Sequence, residues 1–347
     1  MSLARDIADL ASVTTRLDTV GASSGALSNR NLVTNGAMTI SQRSTSVSSQ
    51  TGSGYKTVDR MYTNASGATY NQSQQTVTVG GETGLPTEFS KYLRFEVTTG
   101  NNYAQIYQKI EDVTSVPAGT VTLSFYAKGT TPNAGLTFLA WQNFGTGGSP
   151  STEVVTTISQ TVTLTSTWQR FTVNITVPSI SGKTLGTNGN STFYFGIGQG
   201  GSASTDAWTL DITGLQMEVG TEATPFEHRS FGQELALCQR YYYVLADGNS
   251  NTLPTGSYYS SSLVAMSVIY PVEMRAQAAV KNTNVTDGYG IYRDGAFDTF
   301  DTFNSGGRNT KRGVSLDAVS GVSGTVGHSG PLATNSASAL VAFDAEL

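Results

Sequence analysis

The chain has 347 residues, a net charge of −5, 38% hydrophobic and 13% charged residues, and 38 glycines. No basic block is present, which argues against nucleic-acid binding, and the single Cys238 excludes an internal disulfide framework. No run of about 18 apolar residues occurs, and "MSLARDIADL" lacks the apolar segment of a signal peptide. We therefore expect no membrane span and no secretion by that route. The length allows two domains, and the abundance of Gly, Thr, Val and Tyr favours short strands joined by tight turns.

Residues 2–20 predict an amphipathic helix. Its apolar residues follow a three-four spacing, at Leu3, Ile7, Leu10 and Leu17. Because so short a helix is marginal alone in water, its apolar stripe needs a partner. That partner is either another subunit, through a short bundle or a docked plug, or the helix's own domain. Residues 21–30 indicate a flexible linker, so residues 1–29 are predicted to form an attachment or oligomerisation segment.

Strict alternation of apolar and polar residues runs from Asn31 to about Glu227. It is clearest in "KYLRFEVT", "TVTLSFYAK", "QRFTVNITVP", "STFYFGIG" and "WTLDITGLQMEVG". A period of two with one apolar face, interrupted by Gly, Pro, Asn and Ser turns, predicts an antiparallel β-sandwich. Trp168 and Trp208 are in phase with the apolar faces and are predicted core residues. No helical segment interrupts the strands, which argues against a parallel α/β fold.

The segment "GLQMEVGTEATPFEHRS" (214–230) begins as a strand, ends in a Thr-Pro turn and precedes "FGQELALCQR". Ser230 and Gln233 match a capping box, which predicts a helix immediately after the turn. Leu235, Cys238 and Tyr242 fall on one stripe of that helix. We therefore expect a domain over 30–230 and a second over 231–347 that starts with the linking helix.

The sequence of residues 244–347 again predicts β-strands. "YSSSLVAMSVIYPVEM" and "SASALVAFDAEL" predict strands, whereas "RDGAFDTFDTFNSGGRNTKRG" is predicted to be loop-rich and mobile.

The segments "NLVTNGAMTISQRS", "VTLSFYAKG", "TSTWQRFTVNITVP" and "LDITGLQMEVGTEATPFEHRS" follow one another along the chain. In this order they resemble the jelly-roll domain of carbohydrate-binding modules. The last of them, continued by "FGQELALCQRYYY", resembles tail-fibre and other virion structural proteins of bacteriophages, especially those of marine cyanobacteria. "VIYPVEMRAQAAV" and "ALVAFDAEL" resemble the small C-terminal domain of such fibres. The expected fold is all-β, with an N-terminal helix, an antiparallel jelly-roll β-sandwich, a short linking helix and a smaller C-terminal β domain.

The resemblance implies a virion structural protein that is assembled in the host cytoplasm. It also implies a homotrimeric tail fibre or spike that attaches to the particle by its N-terminus and recognises host-surface glycan. Its partners would be its own copies, other virion proteins and that glycan, with no nucleic acid and no membrane. The alternative is a capsid decoration or connector protein that serves assembly and binds no receptor.

Aromatic residues on the polar faces of the sandwich strands are the candidate binding residues: Trp141, Tyr126, Tyr103, Tyr107 and Tyr194. Solvent-facing rings stack on sugars, but Tyr and Trp are also enriched where one subunit covers another. A sugar platform requires these residues to lie on adjacent strands of one sheet. Because "LAWQNFGTGGSP" leads into a Gly-rich loop, we expect Trp141 near an open edge and favour the platform for it. For the tyrosines we favour an interface.

The resemblance also raises the question of a structural calcium ion, since related jelly rolls often hold one between an acidic residue of the first strand and an Asp of the last. Asp211 matches the second ligand, but Ala37 stands where the first is common. Losing a hard oxygen ligand weakens such a site; otherwise Asp211 is expected to be a solvated strand residue. No other cofactor is expected.

Nothing in the sequence predicts an enzyme. His228 and His328 are far apart, and Cys238 fits an apolar helix stripe better than a nucleophile. "GIGQGG" (196–201) matches a phosphate loop only superficially, because no helix follows it. The scattered acidic residues do not suggest the paired carboxylates of a glycan depolymerase.

Overall fold

The computed structural model describes residues 29–78, 80–100, 102–132, 135–200 and 206–347. The predicted N-terminal helix and its stripe of Leu3, Ile7, Leu10 and Leu17 lie outside these residues. The chain divides into two compact units, the first ending at Ser230 and including Leu347, the second comprising Phe231–Glu346.

The first unit is built from antiparallel strands. They are β1 (Ser46–Gln50), β2 (Gly54–Tyr55), β3 (Tyr62–Ser66), β4 (Thr69–Thr76), β5 (Lys91–Thr99), β6 (Tyr103–Glu111), β7 (Gly119–Thr130), β8 (Leu136–Asn143), β9 (Val154–Val162), β10 (Gln169–Val177), β11 (Thr192–Gln199) and β12 (Trp208–Val219). A 3₁₀ turn, Val113–Ser115, follows β6. One sheet, here the first sheet, has the order β1-β4-β5-β12-β7-β10. The second sheet has the order β2-β3-β6-β11-β8-β9.

The two sheets enclose one apolar core, as the period of two predicts. Its residues come from the inward positions of both sheets, among them Leu93, Phe95, Leu123, Phe125, Phe138, Phe193, Phe195, Ile197, Trp208 and Leu210. The all-β architecture with antiparallel sheets is therefore confirmed for the described part of this unit.

The inward face of β12 changes phase partway along the strand. Leu210 and Ile212 are buried at even positions, whereas Leu215 and Met217 are buried at odd ones. The register with β7 shifts between Thr213 and Gln216. Gly214 has φ +62° there, a conformation that glycine adopts at little cost. A β-bulge thus rotates the end of the strand by one position.

A satellite cluster covers part of the outer face of the first sheet. Leu85 and Phe89, from the segment between β4 and β5, pack with Val77, Tyr92 and Trp168. Trp168 is therefore buried as predicted, but in this cluster and not in the main core.

Polar contacts tie the same segment to the sheet. Glu82 pairs with Lys128 and accepts a hydrogen bond of 2.8 Å from Trp168 Nε1. Burial raises the pKa of the Glu82 carboxyl, but the bonds from Lys128 and Trp168 outweigh it, so the net pKa is below the ordinary value.

Residues 220–229, here the closing strap, return to the start of the sandwich. The Glu227 carboxylate accepts a hydrogen bond of 2.8 Å from the main-chain N–H of Asn31, and Arg229 Nη1 donates to the Val33 carbonyl at 2.9 Å. Leu32 N also donates to the Met217 carbonyl of β12 at 2.9 Å. The chain thus enters and leaves the sandwich at neighbouring points.

The second unit begins with helix α1, Phe231–Gln239. Cys238 is fully buried, and Leu235 is partly buried. Tyr242 is not on the helix as predicted, because the helix ends at Gln239 and Tyr242 opens a strand. Among the described helices, none is long and apolar enough to cross a membrane.

The remaining strands of this unit are β13 (Tyr242–Asp247), β14 (Thr252–Ser260), β15 (Leu263–Ile269), β16 (Ala279–Asn282), β17 (Tyr289–Arg293), β18 (Ala296–Phe300), β19 (Asn304–Asn309), β20 (Gly313–Ala318), β21 (Ser329–Thr334) and β22 (Leu340–Asp344). They form a sheet of order β13-β22-β16 and one of order β18-β17-β21-β14-β15-β20-β19. The prediction of a loop-rich segment over 293–313 is wrong, since β18 and β19 lie within it and pair with β17 and β20.

Candidate functional site

The outer face of the second sheet carries a row of aromatic rings that crosses five neighbouring strands. We call it the aromatic row; its members are Tyr55, Tyr62, Tyr107, Tyr194 and Trp141, on β2, β3, β6, β11 and β8. Direct cross-strand pairing sets its geometry, because Tyr62 pairs with Tyr107 and Tyr194 pairs with Trp141. Four inter-strand spacings give the row a length of about 19 Å.

Successive rings of the row are in contact. Tyr55 and Tyr62 meet edge to face, with centroids 5.1 Å apart. Tyr107 lies 6.2 Å from Tyr62 and 5.8 Å from Tyr194. Tyr194 and Trp141 are stacked at 4.8 Å with an angle of 10° between their planes. Such ring pairs contribute about 0.5–1.5 kcal/mol each beyond their buried area, which keeps the row ordered.

Gly196 makes room for the middle of the row. It lies on β11 opposite Tyr107, and a Cβ at this position would be 2.4 Å from Cε1 of Tyr107 and 3.3 Å from Cζ3 of Trp141. The absence of a side chain therefore lets the Tyr107 ring lie across β11. The first glycine of "GIGQGG" is thus required by the packing of Tyr107.

Amide groups surround the hydroxyl of Tyr107. This hydroxyl donates to Gln105 Oε1 at 2.9 Å and accepts from Asn64 Nδ2 at 2.5 Å. Burial is the main reason that the pKa of Tyr107 is raised to about 12. The Tyr107 hydroxyl thus stays protonated at neutral pH and keeps the Gln105 amide oriented.

A carboxylate lies at the Trp141 end of the row. Glu153 Oε2 accepts hydrogen bonds from the Tyr194 hydroxyl at 2.8 Å and from Asn143 Nδ2 at 2.9 Å. Burial first, and the Glu153 carboxylate second, raise the pKa of Tyr194 above its ordinary value.

Cationic side chains lie at the other end of the row. Lys109 Nζ is 4.5 Å from the centroid of the Tyr62 ring and donates to the Leu347 carbonyl oxygen at 2.6 Å. The guanidinium of Arg43 is 5.1 Å from the Tyr55 ring. Glu153 thus borders the Trp141 end of the row, and cationic side chains border the tyrosines of the other end.

The structure brings together three of the five aromatic residues that the sequence singled out. Tyr107, Tyr194 and Trp141 lie on the adjacent strands β6, β11 and β8. Tyr103 is on β6 opposite Ser66. It lies on the same face as Tyr107, because residues of a strand that are an even number of positions apart share a face.

Tyr126 does not meet the condition for a shared platform. It lies on β7 in the first sheet, where its ring packs 5.4 Å from Phe89 of the satellite cluster and the Arg170 guanidinium lies 5.9 Å from it. Tyr126 is therefore part of a structural contact.

The expected position of Trp141 at an open edge is also wrong. Strand β9 pairs with β8 and forms the edge of the sheet, with Val155 opposite Trp141. The strand that carries Trp141 thus has a neighbouring strand on each side, β11 and β9.

Asp211 is not a solvated strand residue, because it is almost fully buried. Both of its carboxylate oxygens accept hydrogen bonds from Arg94, from Nε and Nη2, each at 2.8 Å. A calcium ion at this position would have to displace the guanidinium. In the described ranges, no group of three or more His, Cys, Asp and Glu is placed to hold a metal ion.

The site also contains residues that the sequence pattern did not indicate: Tyr55, Tyr62, Asn64, Asn143 and Glu153. Tyr62 and Asn64 alternate on β3, so a period of two was present there. However, β3 has five residues and β2 only two, which is too short for alternation to be recognised.

No family model matches the chain, and no curated protein matches it. Several solved structures are similar to parts of it. One is a tailspike protein 4 enzymatically active domain of bacteriophage CBA120, at 19% identity and a TM-score of 0.31, covering 55% of this chain and 21% of that one. This chain therefore spans about a fifth of that domain.

Carbohydrate-binding proteins are also among the similar structures. The N-terminal cellulose-binding domain of Cellulomonas fimi β-1,4-glucanase C has 19% identity and a TM-score of 0.27, covering 44% of this chain and 90% of that one. A CBM22-1 xylan-binding domain from Paenibacillus barcinonensis has 15% identity and a TM-score of 0.26, covering 51% and 94%.

Proposed function

We propose that this protein is a structural component of a phage particle, a homotrimeric tail fibre or spike, whose sandwich binds host-surface glycan along the aromatic row. The observation that carries the glycan-binding part is the row itself: contiguous rings on one sheet face, with carboxylate and amide groups at their margin. The phage assignment is supported by the resemblance of residues 210–243 to virion proteins. Attachment to the particle is assigned to residues 1–29.

Sugar rings have apolar C–H faces that pack on aromatic rings, and hydroxyls that bond to the polar groups beside them. By analogy with other aromatic contacts, each stacked ring contributes on the order of 1 kcal/mol. Binding is therefore weak at a single sandwich. It becomes useful when several copies engage the same cell surface, because each further contact is intramolecular.

The test is a glycan array probed with the full chain and with the variant Trp141→Ala/Tyr194→Ala. Wild-type protein should bind carbohydrate, and the variant should lose that binding while keeping its oligomeric state. Tyr259→Ala, at an aromatic residue of the second unit that is 76% exposed, is the control and should bind normally. Undiminished binding by the double variant would contradict the proposal.

A second candidate is a capsid decoration or connector protein without receptor binding. The observation that favours it is the partial burial of the row, since its rings contact one another and Tyr107 is only 7% exposed. Aromatic residues of this kind are also enriched at subunit interfaces. For this candidate, the same double variant would fail to oligomerise, and any particles formed would adsorb normally.

A further inference from the structure

The stack of Trp141 on Tyr194 determines which ring face remains for a ligand. The planes are nearly parallel and their centroids are 4.8 Å apart, so each ring covers part of one face of the other. Tyr194 lies on β11, on one side of β8, and β9 lies on the other side. The second face of the Trp141 indole is therefore directed toward β9, the edge strand.

An apolar side chain of the edge strand lies beside that face of the indole. Val155 on β9 pairs directly with Trp141 and is 52% exposed. Paired residues have Cβ atoms about 5 Å apart, so a ring seated on Val155 would contact the indole. Trp141 and the exposed Val155 thus form a continuous apolar surface at the edge of the sheet, of the kind on which the C–H face of a sugar ring can pack.

Glu153 lies two residues before Val155, immediately ahead of β9. Its hydrogen bond from the Tyr194 hydroxyl places its carboxylate beside the aromatic row. Its two hydrogen-bond donors, the Tyr194 hydroxyl and the Asn143 amide, are uncharged. Both bonds end on Oε2, which leaves Oε1 with acceptor capacity. Within the described part of the chain, no cation forms an ion pair with this carboxylate.

The cationic side chains beside the aromatic row lie away from Glu153. Arg43 lies 4.0 Å from the Asp59 carboxylate, Lys109 Nζ is bonded to Leu347, and both are beside the tyrosines at the far end. They therefore do not neutralise the charge next to Trp141.

We propose that Trp141, Val155 and Glu153 form a terminal sugar subsite that selects neutral sugars and rejects acidic ones. This inference rests on the proposed glycan-binding function. The Glu153 carboxylate accepts hydrogen bonds from sugar hydroxyls, whereas a uronate or sulfate at the same place would bring two negative charges together in a partly desolvated site.

The experiment compares matched probes: neutral hexasaccharides of glucose, mannose, galactose and xylose, and the C6-carboxylate derivatives of the three hexose compounds. Affinities are measured for the full chain and for Glu153→Gln, which keeps the hydrogen-bond acceptor and removes the charge. Glu96→Gln is the matched control, because Glu96 also accepts a hydrogen bond from an Asn amide but lies on β5 of the first sheet.

We expect the wild-type chain and Glu96→Gln to bind a neutral probe at least about tenfold more tightly than its acidic derivative. Glu153→Gln should reduce that ratio to about threefold or less, chiefly by improving binding of the acidic probe. Binding with no preference for the neutral probe, or a preference unchanged in Glu153→Gln, overturns the subsite and leaves the proposed function intact. Failure of the wild-type chain to bind any probe overturns the proposed function as well.

Discussion

Tyr107 is the residue at which the packing of the aromatic row and its polar contacts meet. Its ring lies over Gly196 and its hydroxyl links Asn64 to Gln105. The ring is 7% exposed, so its pKa is raised from 10.0 to about 12. The hydroxyl of the unfolded chain loses its proton near pH 10, whereas that of the folded chain keeps it. This group thus contributes stability that is complete below pH 10 and is lost as the pH rises toward 12.

We predict that Tyr107→Phe flattens the alkaline part of the stability profile. The variant should be less stable than wild type at pH 8, because Asn64 and Gln105 lose a partner, but its free energy of unfolding should fall less between pH 9 and pH 11. Urea unfolding at several pH values measures this. Tyr259→Phe, at an exposed position, is the control; a profile for Tyr107→Phe parallel to that of wild type would contradict the prediction.

The pair of Asp211 and Arg94 leads to a prediction about calcium. The guanidinium of the partly exposed Arg94 holds both oxygens of the buried carboxylate, and a bidentate pair fixes geometry as well as adding strength. We predict that neither millimolar calcium nor EDTA changes the melting temperature of the first unit. A rise of several degrees with calcium, abolished in Asp211→Asn, would instead establish a metal site.

At the scale of single elements, strand β11 needs glycine at position 196, because the Tyr107 ring of the neighbouring strand β6 lies across it. We predict that Gly196→Ala destabilises the protein by about 1–3 kcal/mol, because the new methyl group would overlap the Tyr107 ring. It should also weaken glycan binding by displacing the row. Gly52→Ala, where a Cβ meets nothing within 4 Å, is the control. Thermal unfolding and array binding of the two variants provide the comparison, and equal behaviour would refute the steric argument.

Helix α1 supports a prediction about Cys238, which is fully buried. We expect its thiol to react slowly with a bulky maleimide in the folded protein and rapidly in urea. Cys238→Ser should cost about 1–3 kcal/mol, because a hydroxyl replaces an apolar packing group. Rapid labelling without unfolding would show that the helix opens or is displaced.

The strands of the sandwich were predictable because apolar and polar residues alternate along each of them. This alternation identifies the face of the strand that points into the core. What alternation cannot supply is the sheet to which a strand belongs. Tyr126 and Trp141 both looked like polar-face aromatics, yet β7 and β8 lie in different sheets. The pairing of Tyr62 with Tyr107 is likewise a long-range contact that local pattern does not encode. Strand β19 was missed because Asn, Ser and Gly, typical turn residues, occupy it. Strand β18 was missed because its five residues stand between turn-forming segments.

At the scale of the whole molecule, the main prediction concerns association. If the aromatic row binds glycan as proposed, its weak contacts need several linked copies to be effective, and the resemblance to phage fibres implies three. We predict a trimer by light scattering for the full chain and a monomer after removal of residues 1–28. A full-length monomer would contradict the fibre assignment, whereas a trimer without residues 1–28 would move the association to the described units.

The closing strap has a mechanical consequence. Because Asn31 and Val33 are hydrogen-bonded to Glu227 and Arg229, a tensile load along the backbone from residue 29 to residue 230 passes through this short clamp and bypasses the sandwich. The sandwich then lies outside the path of the force, so tension between the two ends of this unit would not shear the strands that carry the aromatic row. Only after the clamp ruptures would the sandwich itself bear force and begin to unravel from its two ends.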